Sequence, residues 1–350
     1  MPTLADEIAK ALKAHKVSRL FGIPGGGSSL DLIDAADKAG IPFTLTRTEA
    51  AATIMAAVTG ELTGAPGAVL VGVGPGASSA TNGLAYASLE RSPMVLFIDG
   101  PASTLHQHFN QQAMFAPITR GTAHLQPADG LKALDHLLTT AITAPEGPVM
   151  VEMTAGDAAS EATPFVAQQK KVLTRPSAED IEAAKRMIAG SKRPCLIIGL
   201  EARPHAKAVR AFAERLGAAV LTTYKAGGVI AADSPGFIST ITGAAGEMPI
   251  LKHADLIIGI GFDPIEFIPG TWPDDFPPFL QIDEGSPENP RVPFDLELQG
   301  SLPATLNTLS DDLTDSGWAD SGLGDLRAIA EAIYTSANTA FTTTAAVEVM

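Results

Sequence analysis

The chain has one cysteine, few basic residues and no apolar run long enough to span a bilayer. The lone thiol, Cys195, excludes an intramolecular disulfide and fits a reducing compartment. It opens the apolar run Cys195-Leu-Ile-Ile-Gly199, so it is expected inside a buried strand. Lys and Arg number 24 against 39 Asp and Glu, for a formal net charge of −15. A surface of that sign repels nucleic acid and anionic membranes, and both are excluded as partners. The N-terminus carries Asp6 and Glu7 in a helix-like pattern and lacks the basic-then-apolar arrangement of a secretory leader. A cytoplasmic protein is expected. No Gly-x-Ser-x-Gly elbow occurs, which leaves Ser-His-Asp catalysis without support. Ser78-Ser79 reads instead as the N-terminus of a helix. The pair His106 and His108 has no Cys or acidic neighbour at ligand spacing, so no metal site is expected within this chain.

What is present suits a packed α/β protein. The 350 residues are too many for one ordinary core and comfortable for two domains. Hydrophobic residues make up 45% and charged residues 18%, and Gly and Pro fall in short clusters, as tight strand–helix joints require. Leu4, Ile8, Leu12 and Val17 line one helix face, and a helix opened by Ser28 or Ser29 follows the strand ending at Ile23. Further strands are expected at 43–46, 68–73, 93–98 and 149–153, with a helix over 49–62. The run Ala68-Val-Leu-Val-Gly-Val73 is continuously apolar, as a parallel strand covered on both faces should be. Strand, loop and helix in repetition predict a doubly wound parallel sheet. Residues 155–176 read as an interdomain linker, followed by a helix capped by Ser177 and by strands at 194–199, 219–222, 255–260 and 279–283. A second linker is expected over 310–324 and a helix over 325–341, with another helix starting near Thr342.

Three segments carry the chemistry. They are Phe21-Gly-Ile-Pro-Gly-Gly26, Arg47-Thr-Glu49-Ala-Ala-Ala52, and Gly74-Pro-Gly76 followed by Gly83-Leu-Ala85 and Ser92-Pro-Met-Val95. The glycine turns stand at strand ends, where backbone can approach a flat ring with no Cβ in the way. Gly72 to Gly76 could also form a dinucleotide loop, with Asp99 imitating a ribose-binding acid, but the full G-x-G-x-x-G spacing is missing. Glu49 opens a helix, where a carboxylate also suits the macrodipole.

In order and spacing these segments, with Gln111-Gln-Ala-Met-Phe-Ala-Pro-Ile-Thr-Arg120, resemble the pyrimidine-binding domain of the acetolactate-synthase family. That family of thiamine-diphosphate enzymes also holds 2-oxoacid decarboxylases and benzaldehyde lyase. The resemblance implies two doubly wound domains: a pyrimidine-binding domain at 1–160 and a central domain at 177–310. Residues 311–350 would then be a linker and the start of a third, diphosphate-binding domain. It implies Glu49 as the carboxylate that activates the cofactor, in a buried place where its proton is shared with the ring nitrogen of the aminopyrimidine. Pro24, Gly25, Gly26, Pro75, Gly76 and Ser79 would contact the cofactor, and His106 or Gln107 would face a 2-oxoacid or aldehyde substrate. Mg²⁺ would be held by the third domain, whose Gly-Asp-Gly signature is absent here, so the chain is a fragment or has a partner subunit. A homodimer or tetramer is implied.

There are departures from the family pattern. Thr48 stands where the family has His, and Gly72 and Ser79 stand where synthases have Thr and Asn. In the second domain, Gly199-Leu-Glu-Ala-Arg203 and Gly261-Phe-Asp263 replace the glycine-rich turn and the Arg of FAD-holding members, and neither change favours a flavin. The rival reading is a non-catalytic nucleotide-binding or regulatory module of the same fold.

Overall fold

A computed structural model of the chain describes residues 1–100, 106–107, 109–167, 175–241, 247–268, 272–273, 275–285, 292–311, 313, 318 and 322–334. They form two compact units, divided between Lys171 and Val172. No described helix is long and apolar enough to cross a membrane.

The first unit is built on six parallel strands: β1 (Leu20–Ile23), β2 (Phe43–Leu45), β3 (Gly67–Val71), β4 (Met94–Asp99), β5 (Thr122–His124) and β6 (Pro148–Met153). Their order is β2-β1-β3-β4-β6-β5. The helices are α1 (Leu4–Ala14), α2 (Ser28–Lys38), α3 (Glu49–Thr63), α4 (Pro75–Ser79), α5 (Thr81–Leu89), α6 (Gln111–Phe115), α7 (Gly130–Ala141) and α8 (Ala155–Ala159). Two apolar clusters sandwich the sheet. Leu4, Leu12, Leu32 and Leu138 pack on one face, and Ala52, Ala56, Leu84 and Phe115 on the other. The central strands β3 and β4 are therefore buried throughout, as their unbroken apolar runs require.

The second unit repeats the plan with β7 (Pro194–Ile198), β8 (Ala219–Thr223), β9 (Phe237–Ile241), β10 (Leu256–Ile260), β11 (Phe279–Asp283) and β12 (Leu296–Gln299), all parallel. The order is β12-β11-β10-β7-β8-β9. Its helices are α9 (Ala178–Gly190), α10 (Ala206–Leu216), α11 (Met248–His253), α12 (Leu302–Ser310) and α13 (Gly322–Tyr334). Cys195 lies wholly buried in β7, and burial pushes its thiol up to about 12, so it is a packing residue and not a nucleophile.

Described residues in two stretches expected to be linkers pack onto the units. Thr154 caps α8 by a reciprocal box with Asp157, and Thr3 pairs with Glu161, so the chain past residue 155 stays on the first unit. In the second unit Trp318 is buried and donates its indole N–H to the Pro194 carbonyl at 2.8 Å. Leu326 and Ala330 of α13 join the same core. Ser177 caps α9 as expected, accepting from the Asp180 amide. The helix start expected near Thr342 lies outside the described residues.

Candidate functional site

The strand order of the first unit creates a crevice. From β1 the chain moves outward to β2, and β3 is laid down on the other side of β1. Loops leaving the carboxyl ends of β1 and β3 therefore diverge, which is where open α/β sheets hold ligands. Those loops are Pro24–Gly27 and Gly72–Gly74. Gly25 and Gly72 touch backbone to backbone: a Cβ on Gly25 would stand 3.0 Å from the Gly72 Cα and 2.1 Å from Asp99 Oδ2. Gly25 is thus a glycine because two turns must meet there. Gly26 differs, since nothing lies within 4 Å of the position its Cβ would take. Its backbone is exposed to open space.

Buried Asp99, at the end of β4, ties the first turn down. Its Oδ1 accepts from Ser28 Oγ at 2.8 Å, the Ser29 N–H at 2.8 Å and Ser29 Oγ at 2.7 Å. Helix α2 opens at Ser28, as expected. Ser28 and Ser29 do not cap α2, whose N-cap Gly27 offers no side chain, because both hydroxyls are turned inward. Asp99 Oδ1 is engaged by the chain's own serines and serves to hold the turn.

Glu49 arrives from the loop after β2 as the first residue of α3. Thr48 caps the helix, its Oγ1 accepting from the Ala51 N–H at 3.1 Å, which accounts for a threonine at that position. Helix α3 is pressed on α5 by Gly83, where a Cβ would come within 2.6 Å of the Thr53 Cβ. The result brings the second and third motifs together: Glu49 Oε1 lies 3.7 Å from where a Cβ of Gly76 would be. The glutamate is half-buried, not buried as its alanine neighbours suggest, because its carboxylate faces the open crevice.

The remaining candidates are distributed around this point. Pro24, Gly25 and Gly76 are half-buried, whereas Gly26, Pro75 and Ser79 are exposed. Pro75 is the first residue of α4, where a missing N–H costs nothing. Gly74 adopts φ +61°, and a Cβ there would meet the Gln107 carbonyl at 2.7 Å, so Gln107 is brought against the second glycine turn. His106 is exposed, and its neighbour His108 lies outside the described residues. Two residues that single-site reading missed stand beneath the turn. Gln111 Oε1 accepts from the Gly74 N–H at 2.8 Å, and its Nε2 donates to Glu152 Oε2 at 3.1 Å.

The matching crevice of the second unit, between the ends of β7 and β10, is filled from within. A Cβ on Gly199 would meet the Gly261 carbonyl at 2.3 Å. Around it gather Glu201, Asp263, Glu266 and Asp283. Burial pushes Glu201 up to about 8, Glu266 to about 7 and Asp283 to about 7, and neighbouring carboxylates add to each. Among the described residues no group of three or more His, Cys, Asp or Glu is arranged to hold a metal ion.

Comparison with known proteins agrees with both units. Residues 2–118 match the family model of the thiamine pyrophosphate enzyme N-terminal TPP binding domain, and residues 181–309 match that of the central domain. The chain is 31% identical to an acetolactate synthase of Bacillus subtilis over 327 residues, 88% of this chain and 56% of that protein. It is 29% identical to a catabolic acetolactate synthase of Raoultella terrigena, over 87% of this chain and 57% of the relative. The chain therefore spans a little over half the length of these relatives. A solved chain from Mycobacterium smegmatis, provisionally assigned as a thiamin diphosphate-dependent enzyme, superposes with a TM-score of 0.79 over 90% of this chain and 63% of its own. At 21% identity that likeness concerns the fold.

Proposed function

Because the chain belongs to the thiamine pyrophosphate enzyme family, we propose that it supplies the ring-binding part of a thiamine-diphosphate-dependent lyase, decarboxylase or synthase acting on a 2-oxoacid or aldehyde. The observation that carries this reading is the Glu49 carboxylate, whose Oε1 lies 3.7 Å from the position a Cβ on Gly76 would take, just after β3. A side chain at position 76 would fill the space where a flat ring could meet that carboxylate, and the Pro24-Gly25-Gly26 turn leaves a second bare backbone face nearby.

The residues fit the cofactor's pyrimidine end. When bound, thiamine diphosphate supplies the carbanion chemistry, and the protein orients it and manages protons. Glu49 would meet the pyrimidine ring through its Oε atoms, and the Thr48-capped start of α3 fixes the backbone that carries it. Gly25, Gly26, Pro24, Pro75, Gly76 and Ser79 shape the two walls, and Gln107 or His106 meets the substrate. In this reading residues 1–160 are the pyrimidine-binding domain and 177–310 the central domain. The diphosphate and its Mg²⁺ would be held by the diphosphate-binding domain that the family resemblance implies. The enzyme is cytoplasmic and homo-oligomeric, with the open side of α3 covered by another subunit. The non-catalytic nucleotide-binding alternative is disfavoured by the second unit's crevice, which its own residues fill: a Cβ on Gly199 would meet the Gly261 carbonyl at 2.3 Å and Glu266 Oε2 at 2.8 Å, so the turn leaves no bare backbone face for a diphosphate, FAD included.

The test is Glu49→Gln in the complete enzyme. Proton exchange at the thiazolium C2 of bound thiamine diphosphate, followed by NMR, should slow by about 10²-fold or more with the fold unchanged. Exchange at the wild-type rate would remove Glu49 from the mechanism.

A further inference from the structure

We propose that Gln111 is a positioning residue that sets the Gly74-Pro75-Gly76 turn at the height where Gly76 faces the Glu49 carboxylate. The inference rests on the reading of that turn as a ring-binding wall. Its basis is one buried amide that ties three strand ends together. Gln111 is 1% exposed and opens α6. Its Oε1 accepts from the Gly74 N–H at 2.8 Å, after β3. Its Nε2 donates to the Asp99 carbonyl at 3.4 Å, at the end of β4, and to Glu152 Oε2 at 3.1 Å, on β6. The amide has only one workable orientation, because the opposite one would set NH₂ against N–H and oxygen against carboxylate. Glu152 is held in turn, since Gln112 Nε2 donates to its other oxygen at 2.7 Å.

The turn needs such a tie. Gly74 has φ +61° and ψ −105°, α4 has no side-chain cap, and the helix is five residues long. Three glycines within five residues, Gly72 to Gly76, leave the backbone free to take other conformations. Of the groups that fix it, Gln111 is a side chain bonded to the turn's own N–H from a buried, doubly anchored place. The link from Gln111 to Glu49 therefore runs through the backbone: amide to Gly74, Gly74 to Gly76, and Gly76 to the carboxylate. Gln111 itself touches no substrate or cofactor.

The pair Gln111–Glu152 allows an exchange test. Gln111→Glu keeps an acceptor for the Gly74 N–H but opposes two carboxylates. Adding Glu152→Gln restores a donor–acceptor pair of reversed polarity. Hydrogen exchange of the 72–79 segment, measured by mass spectrometry on this chain, should speed up in Gln111→Glu and return in the double variant. In the complete enzyme saturated with thiamine diphosphate, the single variant should lower kcat and C2-proton exchange about 10- to 100-fold with KM for the 2-oxoacid little changed, and the double variant should recover most of the loss. If Gln111→Glu does not fold by circular dichroism, Gln111→Asn keeps the amide, withdraws its reach and should show the same kcat loss. Faster hydrogen exchange with wild-type C2 exchange would make Gln111 merely structural and overturn the proposal, as would a double variant no better than the single. The ring-binding reading fails separately, when Glu49→Gln leaves C2 exchange untouched.

Discussion

The glycines around the crevice do different work, and substitution should separate them. Gly74 sits at φ +61° with the Gln107 carbonyl 2.7 Å from its missing Cβ, so Gly74→Ala meets both backbone strain and a clash. It should lower the stability of the first unit by about 1–3 kcal/mol in denaturant melts. Nothing lies within 4 Å of the position a Gly26 Cβ would take, and Gly26→Ala should leave stability within about 0.5 kcal/mol of wild type. If Gly26 is a wall for the ring, the same change weakens cofactor binding in the complete enzyme. Equal melting losses in the two variants would show that the turns do not differ in this way. Legibility at this scale followed local spacing. Glu49 and both glycine turns announce themselves in short motifs, whereas Gln111 acts across 37 residues to Gly74 and 41 to Glu152, which no local pattern encodes. The half-exposure of Glu49 was equally hidden, since of the three alanines after it only Ala52 is buried in the core against the sheet, while Ala50, Ala51 and Glu49 are half-buried.

At the level of elements, α3 has two apolar sides. Ala52, Ala56 and Ala57 bury one side against the sheet, and the other side exposes Met55 (42%), Val58 (37%) and Leu62 (80%) at helical spacing. Single exposed apolar residues are ordinary, but three in register on one helix form a stripe that water covers poorly. Were this stripe a subunit contact in the proposed oligomer, Val58→Glu with Leu62→Glu would leave the first unit folded and raise the dissociation constant of the complete enzyme at least about tenfold. Sedimentation velocity across a micromolar dilution series reads this directly, and an unchanged oligomer would place the subunit contact elsewhere. Elements also show where pattern reading stops. The central strands β1, β3, β4, β6, β7, β8, β10 and β11 were readable because a parallel strand with a neighbour on each side is apolar on both faces. The three unanticipated strands, β5, β9 and β12, all lie at sheet edges. Thr122-Ala-His124 is three residues long, and Leu296-Glu-Leu-Gln299 alternates, so neither presents an apolar run.

For the molecule as a whole, the uneven placement of buried carboxylates predicts how it responds to pH. Glu201, Glu266 and Asp283 are pushed up to about 8, 7 and 7, chiefly by burial, while in the unfolded chain they titrate at ordinary carboxylate values near about 4. Between about pH 5 and pH 8 the folded second unit therefore holds protons that the unfolded chain has released. Stability must fall as pH rises through that window, by up to about 1.4 kcal/mol per pH unit for each proton still held. Groups shifted the other way do not oppose this. For Glu284, burial is outweighed by His205 and the Leu302 N–H, and for Asp255 by Ser191 and the Lys192 and Arg193 amides, so both stay below their ordinary values and titrate beneath the window. The measurement has a built-in reporter, because the two tryptophans of the chain, Trp272 and Trp318, are both buried in the second unit. Denaturant unfolding followed by tryptophan fluorescence should give a midpoint that drops steadily from pH 5 to pH 8. Glu266→Gln should flatten that slope, since a neutral amide of the same shape has no proton to lose. A midpoint that stays level, or climbs with pH, would mean that these carboxylates are ionised in the folded protein and that the crevice is wetter than its packing indicates.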